Sequence, residues 1–392
     1  MRAYILGPVL ALVLLPSAFT AAALPLLQGE WNASSAAIGW VFAAYQAGYV
    51  LSVLLILPLT DRLPVGRVIS ACTLVAGLAF VLFPFLARDV WSAAAIRFVA
   101  GLGLAGVYMP GTRAIAAVAP PERRGLAVGA YVSAFYLGGA LSLWASGLLL
   151  EHMDWPQAAL VLGVISVAAV PLAMIGGSKI SAPPGRSARL DIGVMRDGPV
   201  ARTVLAYTGH AWELYISRGW LAAFLATVLL SNGNQVDAVA AGSQWAALMI
   251  GLGTPGVFLG GWLSDRLGRA RAAFIIACAS GVISLGFGFL AATPFALLAL
   301  VGCVYGLLVS ADSAIYSTAI TEFAPRDRIG SAQAMQAFIG FSATIAAPVI
   351  AGWMLDIGFG WGPVFAVGGL FSIGLALPLL GLMRREALIR PA

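Results

Sequence analysis

The chain has 392 residues, of which 61% are hydrophobic and only 10% are charged, with a mean hydropathy of +0.95. Soluble globular proteins carry about 25% charged residues, so this composition excludes a water-soluble enzyme and predicts a protein embedded in a bilayer. The net charge is +6, which in a membrane protein is interpreted by position along the chain rather than as a sign of nucleic-acid binding. The three cysteines lie in apolar runs and there are two histidines, so we expect no disulfide framework, no metal site and no cofactor.

Apolar runs long enough to span a bilayer recur along the whole chain. A spanning helix needs about 20 apolar residues, whereas the strands of a transmembrane β-barrel alternate in polarity over about ten residues. The runs in this sequence are continuous, so they predict an all-α membrane protein. We predict twelve transmembrane helices, at 3–27, 36–59, 67–87, 91–118, 125–150, 157–177, 200–230, 239–263, 270–291, 295–322, 329–355 and 361–383.

The basic residues give the predicted orientation. With the N-terminus in the cytoplasm, 18 of the 22 basic residues fall on the cytoplasmic side, as the positive-inside rule requires. Both termini are then cytoplasmic, and we expect a multi-pass protein of the bacterial cytoplasmic membrane. A cleaved signal peptide is the alternative for the first run, but the run is long for one and its removal would invert the charge pattern.

An internal repeat divides the chain. Residues 59–63, Leu-Thr-Asp-Arg-Leu, recur at 263–267 as Leu-Ser-Asp-Arg-Leu, and a second pair of loops shares the same offset of 204 residues. Such an offset indicates two homologous halves in parallel orientation. The polar stretch between them predicts an N-terminal six-helix bundle at 1–177, a cytoplasmic linker at 178–200 and a C-terminal six-helix bundle at 201–392.

The loop motifs resemble those of the major facilitator superfamily. Residues 261–271 carry its complete Gly-x-x-x-Asp-Arg-x-Gly-Arg-x-Arg signature, and residues 58–67 carry a copy that lacks the leading Gly and has one extra residue. A second family signature, Arg-x-x-x-Gly-x-Gly, is present at 97–103 in the predicted fourth helix. The resemblance covers the whole chain and implies a secondary transporter whose two halves give alternating access to a central site.

The loop motifs also predict gating contacts. Asp61 and Asp265 lie where a helix ends, so each carboxylate can cap a neighbouring helix N-terminus and pair with nearby arginines. We assign gating to Asp61, Arg62, Arg97, Arg113, Asp265, Arg266 and Arg269. Alternatives stay open, because the basic loops can act only as topology anchors, Arg97 can bond carbonyls of the first helix, and Arg113 can snorkel to the cytoplasmic surface.

Ionisable residues in the predicted seventh helix are the first candidates for a site inside the membrane. A charged side chain at the bilayer centre costs on the order of 3 kcal/mol, so such residues are functional candidates by default. Helical periodicity places His210, Glu213 and Ser217 on one face and Arg218 on the same broad side, so they can share one cavity wall. The alternatives are a structural pair between Glu213 and Arg218 and a packing role for His210.

The predicted tenth helix carries a second group. Asp312 shares one helical stripe with Tyr305 and Tyr316, and the repeat offset places Tyr108 of the fourth helix opposite Asp312. The family resemblance implies that the first, fourth, seventh and tenth helices line the central cavity. We assign substrate binding to Arg218, His210, Tyr108, Tyr305, Tyr316, Ser17 and Thr20, and proton coupling to Glu213 and Asp312.

The predicted function is secondary active transport of a small anionic solute, coupled to protons. Arg218 would supply positive charge, while Glu213, Asp312 or His210 would carry the proton, because burial favours the neutral form of a carboxyl. The expected partners are the solute, protons and the bilayer, with no nucleic acid, and we expect a monomer. The charged helices look similar to the nitrate/nitrite-porter-like and cyanate-transporter-like branches, but the second and eighth predicted helices lack the arginines with which nitrate porters bind their anion.

The alternative function is a proton-antiport exporter of drugs or metabolites. The family's antiporter signature in the fifth helix contains Gly-Pro, and this chain keeps only part of the spacing, at Gly129 and Gly138. A membrane-embedded enzyme is not expected, since no phosphate loop, nucleophile elbow or paired catalytic carboxylates occur. A receptor that does not transport would leave the buried charges unexplained.

Overall fold

The structure is a computed structural model that describes residues 2–56, 59–60, 63–120, 123–177, 191–230 and 235–383. Over these residues the regular elements are all helical, which confirms the predicted all-α class. The α-helices in the described part of the chain are α1 (Leu6–Leu14), α2 (Phe19–Ala22), α3 (Leu24–Trp31), α4 (Ser35–Leu55), α5 (Val65–Leu86), α6 (Val90–Val118), α7 (Arg124–His152), α8 (Trp155–Gly177), α9 (Gly198–Leu229), α10 (Gln235–Gly251), α11 (Gly253–Leu267), α12 (Arg269–Phe287), α13 (Phe295–Ala311), α14 (Ser313–Phe323), α15 (Ile329–Asp356) and α16 (Trp361–Ala376).

Eleven segments among the described residues are long and apolar enough to cross a membrane. Each of them overlaps one of the predicted spans. The remaining predicted span corresponds to α9, which has 32 residues and is therefore about 48 Å long, enough to cross a hydrocarbon core of about 30 Å. Its polar residues lower its hydropathy, so the twelfth span stays a prediction.

Three of the predicted spans are broken rather than continuous, and one of them, predicted at 239–263, breaks at Leu252 between α10 and α11. The first, predicted at 3–27, is divided into α1, α2 and α3, with a turn at residues 15–18. Pro16 lies in that turn, and a proline lacks the N–H that a continuous helix needs and clashes with the preceding turn. The tenth, predicted at 295–322, breaks at Asp312, between α13 and α14.

The chain folds into two compact units. Unit 1 comprises Met1–Ser187 with Leu225–Leu248, and unit 2 comprises Ala188–Phe224 with Met249–Ala392. In unit 2 a short 3-10 helix, Ile192–Arg196, precedes α9. The division into bundles at 1–177 and 201–392, with a linker between them, stays a prediction, and residues 178–190 of that linker lie outside the described residues.

Glycines allow close helix contacts within each unit. A Cβ placed on Gly48 of α4 would overlap the carbonyl of Phe98 on α6, and one on Gly101 of α6 would overlap the carbonyl of Tyr45 on α4. In unit 2 a Cβ on Gly260 of α11 would overlap the carbonyl of Ala311 in the same way. Helices in a bilayer associate through such close packing, because lipid gives little hydrophobic drive for association.

We expect Gly101→Ala to lower the stability of the protein, because the added methyl group must separate α4 from α6. Overpacking of this kind costs about 1–3 kcal/mol. Gly139→Ala on α7 is the matched control, since a Cβ there meets nothing within 4 Å. The measurement is the thermal unfolding midpoint of each purified variant in detergent, and equal midpoints for the two variants would contradict the close contact.

Candidate functional site

A buried acid–histidine pair joins α9 to the break between α13 and α14 in unit 2. The Nδ1 atom of His210 lies 2.8 Å from Oδ1 of Asp312, and its Nε2 atom lies 2.9 Å from Oγ of Ser313. A neutral imidazole protonated on Nδ1 can donate to the Asp312 carboxylate and accept a bond from the Ser313 hydroxyl. His210 therefore holds two consecutive residues at the point where the tenth predicted helix is interrupted.

Glu213 lies one helical turn after His210 and makes different contacts. Its Oε2 atom accepts a hydrogen bond of 3.0 Å from Oγ of Ser280 on α12. Its Oε1 atom has no hydrogen-bond partner among the described residues. One turn further along α12, Ser284 Oγ lies 3.2 Å from the hydroxyl of Tyr305. The Glu213 carboxyl thus lies among helices, and the hydroxyls of Ser372 and Tyr305 lie near it besides that of Ser280.

The structure brings the predicted residues of the seventh and tenth helices together, but inside unit 2 rather than along an open wall. His210 is 3% exposed, and Glu213, Asp312, Tyr305 and Tyr316 are each 1% exposed. The ring of Tyr316 packs 5.7 Å from that of His210. These side chains lie together, as helical periodicity predicted, and the face that they share is buried; their roles in solute binding and proton coupling stay predictions.

Arg218 differs from this buried cluster. It is half-buried, and its guanidinium carbon lies 5.7 Å from the centre of the Tyr215 ring on the same helix. That distance falls within the range of a cation–π contact. The predicted role of Arg218 in binding an anion stays a prediction.

In unit 1 the break in the first predicted helix is held by two side chains from other helices. Arg97 on α6 donates a 2.7 Å hydrogen bond to the carbonyl of Ser17. Ser142 on α7 accepts a 2.8 Å bond from the Ala18 amide and donates a 2.5 Å bond to the Leu15 carbonyl. These bonds satisfy polar groups that the interrupted helix leaves free. Arg97 therefore bonds a backbone carbonyl of the first predicted span, which was the alternative to a gating role. The gating role itself stays a prediction.

The other predicted residues of unit 1 lie in different surroundings. Thr20 is buried on α2. Tyr108 stacks on Tyr131 with ring centres 6.2 Å apart and planes 12° apart, so it belongs to an aromatic cluster between α6 and α7. Arg113 donates a 3.1 Å bond to Oγ1 of Thr60.

The complete loop motif in unit 2 forms a charged network. Arg269, at the start of α12, contacts Oδ1 of Asp265 at 2.5 Å and Oε1 of Glu322, in the last turn of α14, at 3.1 Å. Arg266 lies over the ring of Trp262, 4.0 Å from its centre. Asp265 pairs with Arg269 within its own loop, and Arg269 links that loop to the end of α14.

In the first copy of the motif, Asp61 and Arg62 lie outside the described residues. Their assignment as gating residues stays a prediction.

Sequence reasoning missed several polar partners. Ser280 and Ser284 are four residues apart on α12 and contact Glu213 and Tyr305 respectively. Their helical spacing was the available signal, since residues four apart share one helix face. Glu322 was also not predicted. Its signal was its position near a helix C-terminus, where a carboxylate is unfavourable to the helix dipole and is stabilised by a nearby cation.

The family profile described as Major Facilitator Superfamily matches residues 6–233 and 214–391. A gallate transporter of Pseudomonas putida is 26% identical, over 91% of this chain and 82% of its own length. A 3-(3-hydroxy-phenyl)propionate transporter of Escherichia coli is 28% identical, over 90% of this chain and 86% of its own length. A gentisate transporter of Corynebacterium glutamicum is 26% identical, over 92% of this chain and 82% of its own length.

Solved structures agree on the fold. A bacterial homologue of the human lysosomal transporter Spinster has a TM-score of 0.70 at 16% identity, covering 99% of this chain and 94% of its own. The nucleoside transporter NupG has a TM-score of 0.75 at 13% identity, covering 98% and 99%. The similarity to nitrate and cyanate branches stays a prediction. The chain therefore belongs to the Major Facilitator Superfamily, as its loop motifs predicted, and is a multi-pass transporter of the bacterial inner membrane rather than an enzyme.

Proposed function

We propose that this chain is a proton-coupled symporter for small organic anions, with carboxylates that bear an aromatic ring among its solutes. Relatives at 26–28% identity that transport gallate, 3-(3-hydroxy-phenyl)propionate and gentisate support the solute class. The observation that supports proton coupling is the burial of Glu213. This residue is 1% exposed, and one of its carboxyl oxygens has no hydrogen-bond partner among the described residues. We propose that the transporter works as a monomer.

Glu213 is the primary proton carrier in this proposal. A buried ionised carboxylate is costly unless it is paired and fully hydrogen-bonded, so Glu213 in this arrangement favours a bound proton. A proton on the carboxyl removes the charge that burial makes costly.

The pair of His210 and Asp312 is the second proton-dependent contact in this proposal. Because Asp312 lies at the break of the tenth helix and His210 holds it there, a proton gained or lost by the pair changes the strength of that contact. Protonation of Asp312 would weaken its attraction to His210 and allow the break between α13 and α14 to change its conformation. Arg218 is charged at any physiological pH, so in this proposal it attracts the anion and carries no proton.

Glu213→Gln should abolish accumulation driven by a pH gradient while leaving solute counterflow intact, because the amide mimics the protonated acid. Asp312→Asn should reduce pH-driven accumulation as well. The assay is uptake of labelled gentisate into proteoliposomes with and without an inward proton gradient, and Glu151→Gln, at the exposed end of α7, is the matched control. If both site variants still concentrate the solute, the coupling assignment is wrong and the cluster is structural.

The proposed gate is the network around Arg269. Asp265→Asn should slow transport several-fold and leave solute affinity unchanged, because it removes one of the two carboxylates bound to Arg269 without touching the membrane interior. Asp327→Asn, another exposed carboxylate on the predicted cytoplasmic side, should leave the rate unchanged. Transport by Asp265→Asn at the wild-type rate would reduce the motif to a topology anchor.

The proposed topology has twelve spans, with α9 as the twelfth and both termini cytoplasmic. In a variant without the three native cysteines, a cysteine at Asp197 should react with a membrane-impermeant reagent only from the cytoplasmic side. A cysteine at Arg88, between α5 and α6, should react only from outside. Reversed sidedness at both positions would reject the orientation.

A further inference from the structure

Unit 1 contains an open cavity with a volume of about 370 Å³ between α1, α6 and α7, and its lining residues Tyr4 and Leu137 are exposed at the surface. Its walls include Gly7 and Ala11 of α1, Ile115 of α6, and Ala130, Tyr131 and Ala134 of α7. Binding sites for small molecules measure about 300–1,000 Å³, and an apolar cavity of about 150 Å³ already holds benzene. The space is therefore sufficient for one aromatic ring with its substituents.

Small side chains create this space. Gly7 and Ala11 face Ala130 and Ala134 across the cavity, where larger side chains would fill it. A Cβ placed on Gly7 would meet nothing within 4 Å. Gly7 therefore differs from the glycines that bring helices together in this unit, since no packing contact requires its lack of a side chain.

One wall of the cavity is a fixed aromatic ring. Tyr131 is 3% exposed, and its hydroxyl donates a 3.0 Å hydrogen bond to the carbonyl of Val107. Tyr108 stacks on Tyr131 and also packs against Phe135, with the latter ring centres 4.8 Å apart. The bond and the stack hold Tyr131 in place, so the small part of its ring that stays accessible is a fixed part of the cavity wall.

The lining carries no charged side chain among the described residues that form it. Its hydroxyl groups belong to Tyr4 and Tyr131, and that of Tyr131 is already bonded to the backbone. Such a surface cannot compensate for the desolvation of a carboxylate, but it can bury an apolar ring. The chemistry therefore suits the ring of a solute and not its anionic group.

We propose that this cavity binds the aromatic ring of the transported carboxylate and thereby selects ring-bearing anions over aliphatic ones. The inference rests on the proposed function. The anionic group of the solute stays outside the cavity, so the cavity contributes to specificity and not to proton coupling.

The test measures binding of labelled gentisate and of labelled glucuronate, an aliphatic carboxylate, to wild type and to Ala134→Phe in proteoliposomes. The new ring should fill the cavity and weaken gentisate affinity by about tenfold, as expected when a buried ring loses its apolar contacts. Glucuronate affinity should stay unchanged. Leu141→Phe, on an exposed position of α7 outside the cavity, is the control and should bind both solutes as the wild type does.

A second measurement does not depend on the folding of Ala134→Phe. A cysteine at Ala130 should react with a water-soluble thiol reagent, and gentisate should slow that reaction while glucuronate should not. Any of three results would overturn the inference. They are unchanged gentisate affinity in Ala134→Phe, an equal loss of affinity for both solutes in that variant, and reaction of the cysteine at Ala130 only with a lipid-soluble reagent. If the wild type binds glucuronate but not gentisate, the inference is wrong while anion transport stays supported. If the wild type binds neither carboxylate, the proposed function itself is rejected.

Discussion

Inside a bilayer a polar group is costly unless it finds a partner within the protein, and this requirement explains the most unusual contacts of the structure. The first predicted helix is interrupted near Pro16, and Arg97 and Ser142 bond the groups that the interruption leaves free. The tenth is interrupted at Asp312, where His210 bonds the side chains of Asp312 and Ser313. Each unit thus contains a broken helix at which polar side chains of neighbouring helices make hydrogen bonds.

The Glu213 carboxyl departs from this rule. Its oxygen Oε1, like Oδ2 of Asp312, has no hydrogen-bond partner among the described residues. The repeat partner of Glu213 in the first helix is Val9, which is fully buried in the core of unit 1. The two halves share their span pattern and loop motifs, yet among the described residues the buried acids Glu213 and Asp312 both belong to the second half. This asymmetry supports our proposal that the second half carries the proton.

The sequence predicted the spans well because hydropathy over about 20 residues reflects the cost of exposing polar groups to lipid. It also predicted that His210 and Glu213 share a face, since helical periodicity fixes that relation. Periodicity does not say what a face contacts, so the burial of these residues against α12 and the α13–α14 break could not be predicted. The break at Asp312 has no neighbouring proline to signal it, whereas Pro16 marks the break in the first helix.

Proton uptake that accompanies solute binding tests the role of Glu213 most directly. Calorimetric titration of the purified transporter with gentisate, in buffers of different ionisation enthalpy, gives the number of protons bound per solute. At a pH high enough for the solute-free transporter to have released the Glu213 proton, we expect the wild type to take up about one proton on binding and Glu213→Gln to take up none while still binding gentisate. A wild-type binding heat that does not depend on the buffer, or the same proton uptake in Glu213→Gln, would contradict the assignment.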